Sequence, residues 1–150
     1  MNYLLEKYIY TIINEEKLIT KELHIFDFDM TLYNPNKKEW IEEVVQEAKK
    51  VINNKNNITV LCTARTNTKE ITSETISLLT DNGLVFNHYC FKPEKRKMST
   101  PKYKAEAAEN LLNKYKDLSA VCFWDDRQDN LDAVGEAVSS KNINYKGNKT

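Results

Sequence analysis

Four aspartates in this chain fall where apolar runs end. The run LHIFDF leads into Asp27, Phe28, Asp29, Met30 and Thr31, the run ITVLC is followed by Thr63, Ala64 and Arg65, and SAVCFW is followed by Asp125, Asp126 and Arg127. Apolar runs this short, bounded by polar residues, read as buried strands rather than helices. In a parallel sheet, ligands bind beyond the carboxyl ends of the strands. The three runs therefore direct Asp27, Asp29, Asp125 and Asp126 toward one edge. Carboxylates gathered in one place repel each other and resist ionising together unless a cation sits among them. A divalent metal is implied, and an all-oxygen donor set favours Mg²⁺. One Asp-x-Asp after one strand would be an ordinary turn. Recurrence after a second strand, with Thr and Arg after a third, points to a site.

The elements that must hold these residues in place follow from periodicity. Leu4, Leu5, Tyr8, Ile9, Ile12 and Ile13 lie at helical spacing, so residues 1–20 are predicted to form an amphipathic helix packed on the core. A strand over 23–28 leads through a loop at Asn34, Pro35 and Asn36 to a helix from about Lys38 to Asn53, with Trp40, Ile41, Val44, Val45, Ala48 and Ile52 facing inward. A strand over 58–62, a helix from Thr68 to Asp81 and a stop at Gly83 come next. They are followed by a strand over 84–90 and a basic loop. Thr100 and Pro101 are read as N-cap and first residue of a helix to about Lys116. A strand over 119–124 and a helix from Asn130 to Val138 complete the series. Residues 139–150 form a polar tail expected to fray, with Ile143–Tyr145 as an edge strand at most. This alternation predicts a three-layer α/β/α, Rossmann-like fold around a mainly parallel sheet.

At 150 residues and 41% hydrophobic content, the chain can close one core, so residues 1–150 are expected to form a single domain. Lys plus Arg and Asp plus Glu both number 22, so no global field pulls the protein toward nucleic acid or membrane. Cys62, Cys90 and Cys122 lie in or at the ends of strand-like runs without metal-binding or redox spacing, and read as small buried hydrophobes. With no signal peptide and no apolar stretch near the roughly 20 residues of a membrane span, a reduced, cytoplasmic protein is expected.

FDFDMTLYNP resembles the first motif of the haloacid dehalogenase (HAD) superfamily, LCTAR its second and CFWDDRQDN its fourth. Thr63-Ala64-Arg65, Lys92-Pro93, the Ser99-Thr100 pair before Lys104, and Asp125-Asp126-Arg127 are similar to polynucleotide 3′-phosphatases and to the Swiss Army Knife RNA-repair-like HAD proteins. The resemblance spans about residues 23–135. It implies that Asp27 is a nucleophile forming an aspartyl-phosphate, and that Asp29 protonates the leaving oxygen and then activates water. It implies a Mg²⁺ ion held by Asp27, the Asp29 carbonyl and Asp125, with Asp126 close by. Thr63 would bond a phosphate oxygen, and Lys104 would supply the fixed cation, with Lys92 as its rival. Thr31, Arg65, Lys92 and Arg127 are expected in substrate binding, although Arg65 and Arg127 could equally pair with local acids. One departure is Asn130, where RNA-repair-like relatives carry His, and there is no Gly-x-x-x-x-Gly-Lys.

The segments between Thr31 and Thr63 and between Thr63 and Lys92 leave room for a flap but for no large cap domain. An open site suits a large phosphorylated substrate such as a nucleic-acid end. Residues 91–104, with Lys92, Lys95, Arg96, Lys97, Lys102 and Lys104 among Phe91 and Tyr103, form a basic stripe able to follow a phosphodiester backbone. A nucleotide or other small-molecule phosphatase is the alternative within enzymes. A catalytically silent HAD domain used as a binding module is the alternative from another class.

Overall fold

The computed structural model describes residues 21–150, and the helix expected over 1–20 lies outside the described residues. Strand β1 (Lys21–Phe26) is central in a sheet ordered β5–β4–β1–β6–β7, with β4 spanning Asn57–Thr66, β5 His88–Lys92, β6 Leu118–Asp125 and β7 Asn144–Lys149. All four neighbour pairs run parallel. Helices α1 (Glu42–Ile52) and α2 (Lys69–Asp81) pack on one face, and α3 (Thr100–Lys114) and α4 (Gln128–Ser139) on the other. The expected three-layer α/β/α fold is therefore present, and no large cap interrupts it among the described residues.

Alternation along β1 divides the core. Leu23 and Ile25 face α3 and α4, where they join Val121, Phe123, Leu111 and Val134. Phe26 faces the other way, with Leu61, Val45 and Leu79. Its ring stacks on Trp124 at 4.3 Å between centroids and lies 6.0 Å from Phe86.

Several boundaries differ from the sequence reading. The helix expected from Lys38 begins at Glu42, because Tyr33–Asn34 (β2) and Glu39–Trp40 (β3) form a short antiparallel hairpin first. The Asn34 carboxamide accepts from the amides of Asn36 and Lys37, and Lys38 takes a φ of 54°, both incompatible with a helix start there. Trp40 therefore packs on Tyr33 and Phe28 from a strand. Strand β5 starts at His88 rather than Leu84, since Leu84 and Phe86 fill the core from an irregular segment after Gly83, whose φ is 75°. Ser99, not Thr100, caps α3, its hydroxyl accepting from the Lys102 amide.

The tail does not fray. Residues 144–149 pair one for one with Ala120–Asp125 of β6, and the Tyr145 hydroxyl donates to the Leu131 carbonyl at 2.7 Å. The strand eluded the period-2 reading because it is polar on both faces apart from Tyr145. Gly135 lets α4 approach, since a Cβ there would meet the Tyr145 ring at 2.8 Å. Of the cysteines, Cys62 is buried, whereas Cys90 and Cys122 are half-buried.

Phe26 links the sheet's centre to the tip that carries Asp27. Phe26→Ala should lower unfolding stability by about 3–5 kcal/mol, measured by urea denaturation. A loss under about 1 kcal/mol would show that the aromatic stack does not anchor β1.

Candidate active site

Asp27 directly follows β1, and its amide donates to the Trp124 carbonyl at 3.0 Å, extending the ladder with β6 by one step. Because Phe26 pairs with Trp124, the next residues, Asp27 and Asp125, end adjacent strands on the same face. Beyond Asp27 the chain winds tightly. The Phe28 carbonyl accepts from the amides of Thr31, Leu32 and Tyr33, while Met30 takes a φ of 63°. This turn returns the Thr31 hydroxyl to Asp27 Oδ2 at 2.9 Å.

Lys104, in the first turns of α3, is 2% exposed, and its ammonium lies 2.7 Å from Asp27 Oδ1 and 2.6 Å from Asp125 Oδ2. Burial works against charge on Lys104, but Asp27 and Asp125 outweigh it and raise its pKa. Burial pushes the Asp27 carboxyl up to about 7; Lys104 opposes that shift and Asp125 adds to it. Asp125 is fully buried and accepts further bonds from the Arg127 amide and from the Asn130 carboxamide. The neighbouring Asp126 is only partly buried, and burial followed by Asp125 raises its pKa.

Carboxylate oxygens of Asp27, Asp125 and Asp126 lie within 4.8 Å of one another. Two oxygens on opposite sides of one Mg²⁺ stand about 4 Å apart, so a small inward adjustment would let the three acids share an ion. Two carboxylates bound to one ammonium also leave a net negative centre, which a hard cation would neutralise. The donor set therefore fits Mg²⁺.

Asp29 is turned elsewhere. Both of its oxygens accept from Arg65, from Nε and Nη2 at 2.8 Å each, and Arg65 Nη1 reaches the Thr75 hydroxyl at 3.1 Å. The guanidinium lies 4.6 Å from the Phe28 ring centroid. A bulge brings this about: between Thr63 and Thr66, β4 advances three residues while β5 advances one, from Phe91 to Lys92. Thr63 is fully buried, with its hydroxyl accepting from the Arg65 amide at 3.1 Å.

Of the residues singled out from sequence, the structure gathers Asp27, Thr31, Lys104, Asp125 and Asp126, and pairs Asp29 with Arg65 beside them. Lys92 ends β5 and forms no ion pair among the described residues. Arg127 points outward and bonds Asp129 through both Nε and Nη2. Two contributors were missed. Asn130 had been noted only as a departure from relatives, although its place one turn into the helix after Asp125 marks it as a partner for that acid. Thr75, far along α2, carried no signal, because only the β4 bulge brings Arg65 to it.

This fold, with an acid pair after the first strand, a second pair after β6 and a buried lysine between them, defines a HAD-type domain with a phosphatase-like site. The chain belongs to HAD domain family 1 of the Swiss Army Knife RNA repair proteins, whose family model matches residues 14–148. No curated protein matches the sequence. Among solved structures, it is similar to the HAD domain of the effector protein Lem4 from Legionella pneumophila (an inactive mutant), with 13% identity and a TM-score of 0.63 over 87% of this chain and 86% of that one. A chain of the Pnkp1/Rnl/Hen1 RNA repair complex gives 14% identity and a TM-score of 0.61, covering 85% of this chain but 43% of the other. UDP-N-acetylglucosamine 2-epimerase from Rickettsia bellii gives 13% and 0.58, covering 85% and 30%. At such identities the likeness concerns the fold alone.

Metal and pH should be coupled through Asp27. With its carboxyl raised to about 7 in the folded state and near 4 when unfolded, the native protein retains a proton that the unfolded chain gives up. Stability from this group is complete below about pH 4 and falls as pH rises to about 7. A divalent ion displaces that proton, so Mg²⁺ should raise the melting temperature more at pH 8 than at pH 5.5. Calorimetric scans with and without Mg²⁺ at the two pH values test this, and an equal or larger shift at pH 5.5 would contradict it.

Proposed function

We propose that this domain is a Mg²⁺-dependent phosphomonoesterase that removes phosphate from a nucleic-acid end through an aspartyl-phosphate on Asp27. The observation that carries the reading is the buried Asp27–Lys104–Asp125 triad with Asp126 beside it. An acid held by fixed donors at a strand tip is positioned to attack phosphorus without a search of rotamers.

In this reading an Asp27 oxygen bonds phosphorus as the bond to the leaving oxygen breaks. Thr31 and Lys104 hold the two oxygens of that carboxyl in orientation, and Lys104 also balances charge as it builds on the phosphoryl oxygens. Thr63, whose oxygen already accepts from a backbone amide, has its proton free to donate to a phosphate oxygen. Asp29 gives a proton to the leaving oxygen, then takes one from the water that displaces Asp27 and frees inorganic phosphate. Its fork with Arg65 has to open for that exchange, which leaves the guanidinium available to the phosphate. Asp27, Asp125 and Asp126 would hold the Mg²⁺, with the Asp29 carbonyl as a further ligand in this family. When bound, the ion neutralises negative charge on the phosphate and on the attacking acid.

The choice of a nucleic-acid end is supported by the family's RNA repair context and the similarity to a chain of an RNA repair complex. No large cap domain stands over the site among the described residues, which suits a large substrate. No helix among the described residues is long and apolar enough to cross a membrane. The reading places the domain in the cytoplasm.

Asp27→Asn should reduce Mg²⁺-dependent phosphate release from phenyl phosphate to background with the circular dichroism spectrum unchanged. Asp29→Ala should lower kcat by roughly 10²- to 10⁴-fold. Full activity in Asp27→Asn would remove the nucleophile assignment. Rates on 3′-phosphorylated oligonucleotides, 5′-phosphorylated oligonucleotides and mononucleotides should favour the first, and equal slow rates on all three would count against a nucleic-acid end.

A further inference from the structure

A cavity of about 610 Å³ runs along the open edge of the sheet, between α2 and α3, with Tyr89, Cys90 and Phe91 of β5 contributing to its lining. At one end its lining consists of residues close in the chain to those of the candidate active site. Asn67 follows the tip of β4, and its amide donates to the Lys92 carbonyl at the tip of β5. Tyr103 precedes Lys104, and its hydroxyl lies 3.9 Å from the sulfur of Cys62, the residue before Thr63. The lining on α3 descends from Tyr103 to Lys114, about 16 Å at the helical rise. A ligand held by its phosphate at Asp27 could extend directly into this space.

We propose that the cavity seats the terminal nucleoside of a single-stranded nucleic-acid end, with the strand's phosphates tracking the loop above it. The proposal rests on the phosphatase reading and supplies its substrate-binding half. Three features of the wall and rim favour this occupant. Tyr89, Phe91 and Met98 offer apolar and π surface, on which any base can stack. Asn67 and Asn110 are exposed amides at the wall, able to donate to and accept from a base edge. The loop joining β5 to α3 is predominantly basic, with Lys92, Lys95, Arg96, Lys97 and Lys102 against Glu94, in a chain whose formal net charge is zero; Arg96 and Glu106 both line the cavity itself. Arg96 is held by Glu106 at 2.9 Å, whereas the four lysines form no ion pair among the described residues and remain available to phosphates. A peptide carrying one phosphate would satisfy Asp27 but leave that row of cations unanswered. The volume lies within the roughly 300–1,000 Å³ of ordinary ligand sites, sufficient for a base and its sugar and too small for a duplex.

The test uses a single-stranded RNA hexanucleotide ending in a 3′-hydroxyl, titrated against the full chain by fluorescence anisotropy, alongside kcat/KM on its 3′-phosphorylated form and on phenyl phosphate. Ala107→Trp places a ring inside the cavity and Lys114→Glu reverses charge at its foot, where the side chain is exposed and the fold is not at stake. Ala107→Trp should weaken hexanucleotide binding at least about fivefold, the loss of one stacked base. It should lower the ratio of kcat/KM on the 3′-phosphorylated strand to that on phenyl phosphate by a similar factor. Lys114→Glu should weaken binding in the same direction by a smaller factor. Hexanucleotide binding unchanged in both variants would overturn the cavity assignment while leaving the phosphatase reading standing. Hexanucleotide binding that the variants weaken, in a protein with no Mg²⁺-dependent hydrolysis of either phosphate ester, would support the cavity and defeat the catalytic reading instead. Capture of a phosphotyrosine peptide but not the hexanucleotide, blocked by Ala107→Trp, would overturn the nucleotide as occupant.

Discussion

The structure depends on one buried ammonium. Lys104 is held between Asp27 and Asp125 with almost no contact with water, and none of the three groups could be buried there alone. Removing a partner from such a cluster leaves an uncompensated buried charge and costs about 3–5 kcal/mol. The cluster is also unbalanced by construction, with two carboxylates on one ammonium. The imbalance falls on Asp27, whose carboxyl burial pushes up to about 7, and a further positive charge beside Asp126 would correct it. An arrangement that folds with the lysine but is electrostatically complete only with a second cation is suited to recruiting metal and phosphate together.

The sheet meets this demand through register more than through any special loop. Asp27 and Asp125 extend strands already locked by Ile25 against Phe123 and Phe26 against Trp124. Alternation then puts both acids on the α3–α4 face, the face from which Lys104 arrives. A one-residue slip of β6 would send Asp125 to the opposite face, so the aromatic stack of Phe26 on Trp124 also specifies the site. The bulge in β4 breaks that regularity and turns Arg65 over Phe28 to the Asp29 carboxylate.

The acid-bearing strand tips could be read from sequence because motif and element coincide there: a short apolar run followed by acids, twice, with a third run ending in Thr and Arg between them. Lys104 was harder to place, since two basic residues stood at plausible spacings and exposure decides between them. Lys92 ends an edge strand, whereas Lys104, the fifth residue of α3, is buried between Tyr103 and Ala108 on the helix's inward face. Strand β7 was missed because its residues are polar, and what holds it is backbone pairing to β6 plus one tyrosine. The fork between Arg65 and Asp29 was open at the sequence level for a different reason. Arg65 could have met a phosphate or a local acid, and the outcome depends on a bulge that leaves no mark in hydrophobic pattern.

A likeness that extends to an epimerase as readily as to RNA repair proteins means that the layered sheet alone does not choose a chemistry. What the shared fold provides is an edge that attracts anions, because helices α2, α3 and α4 all begin there and present amide N–H groups and the positive ends of their dipoles. A chain that left this edge neutral would bind phosphate or a nucleotide and stop. This chain instead commits much of that favourable potential to its own carboxylates, Asp27, Asp125 and Asp126. An incoming phosphate then meets repulsion unless a cation accompanies it. In the proposed reading, selectivity thereby shifts from a bare anion to a metal–phosphate pair, and the acids that impose the requirement are the ones proposed to act on phosphorus once it is met.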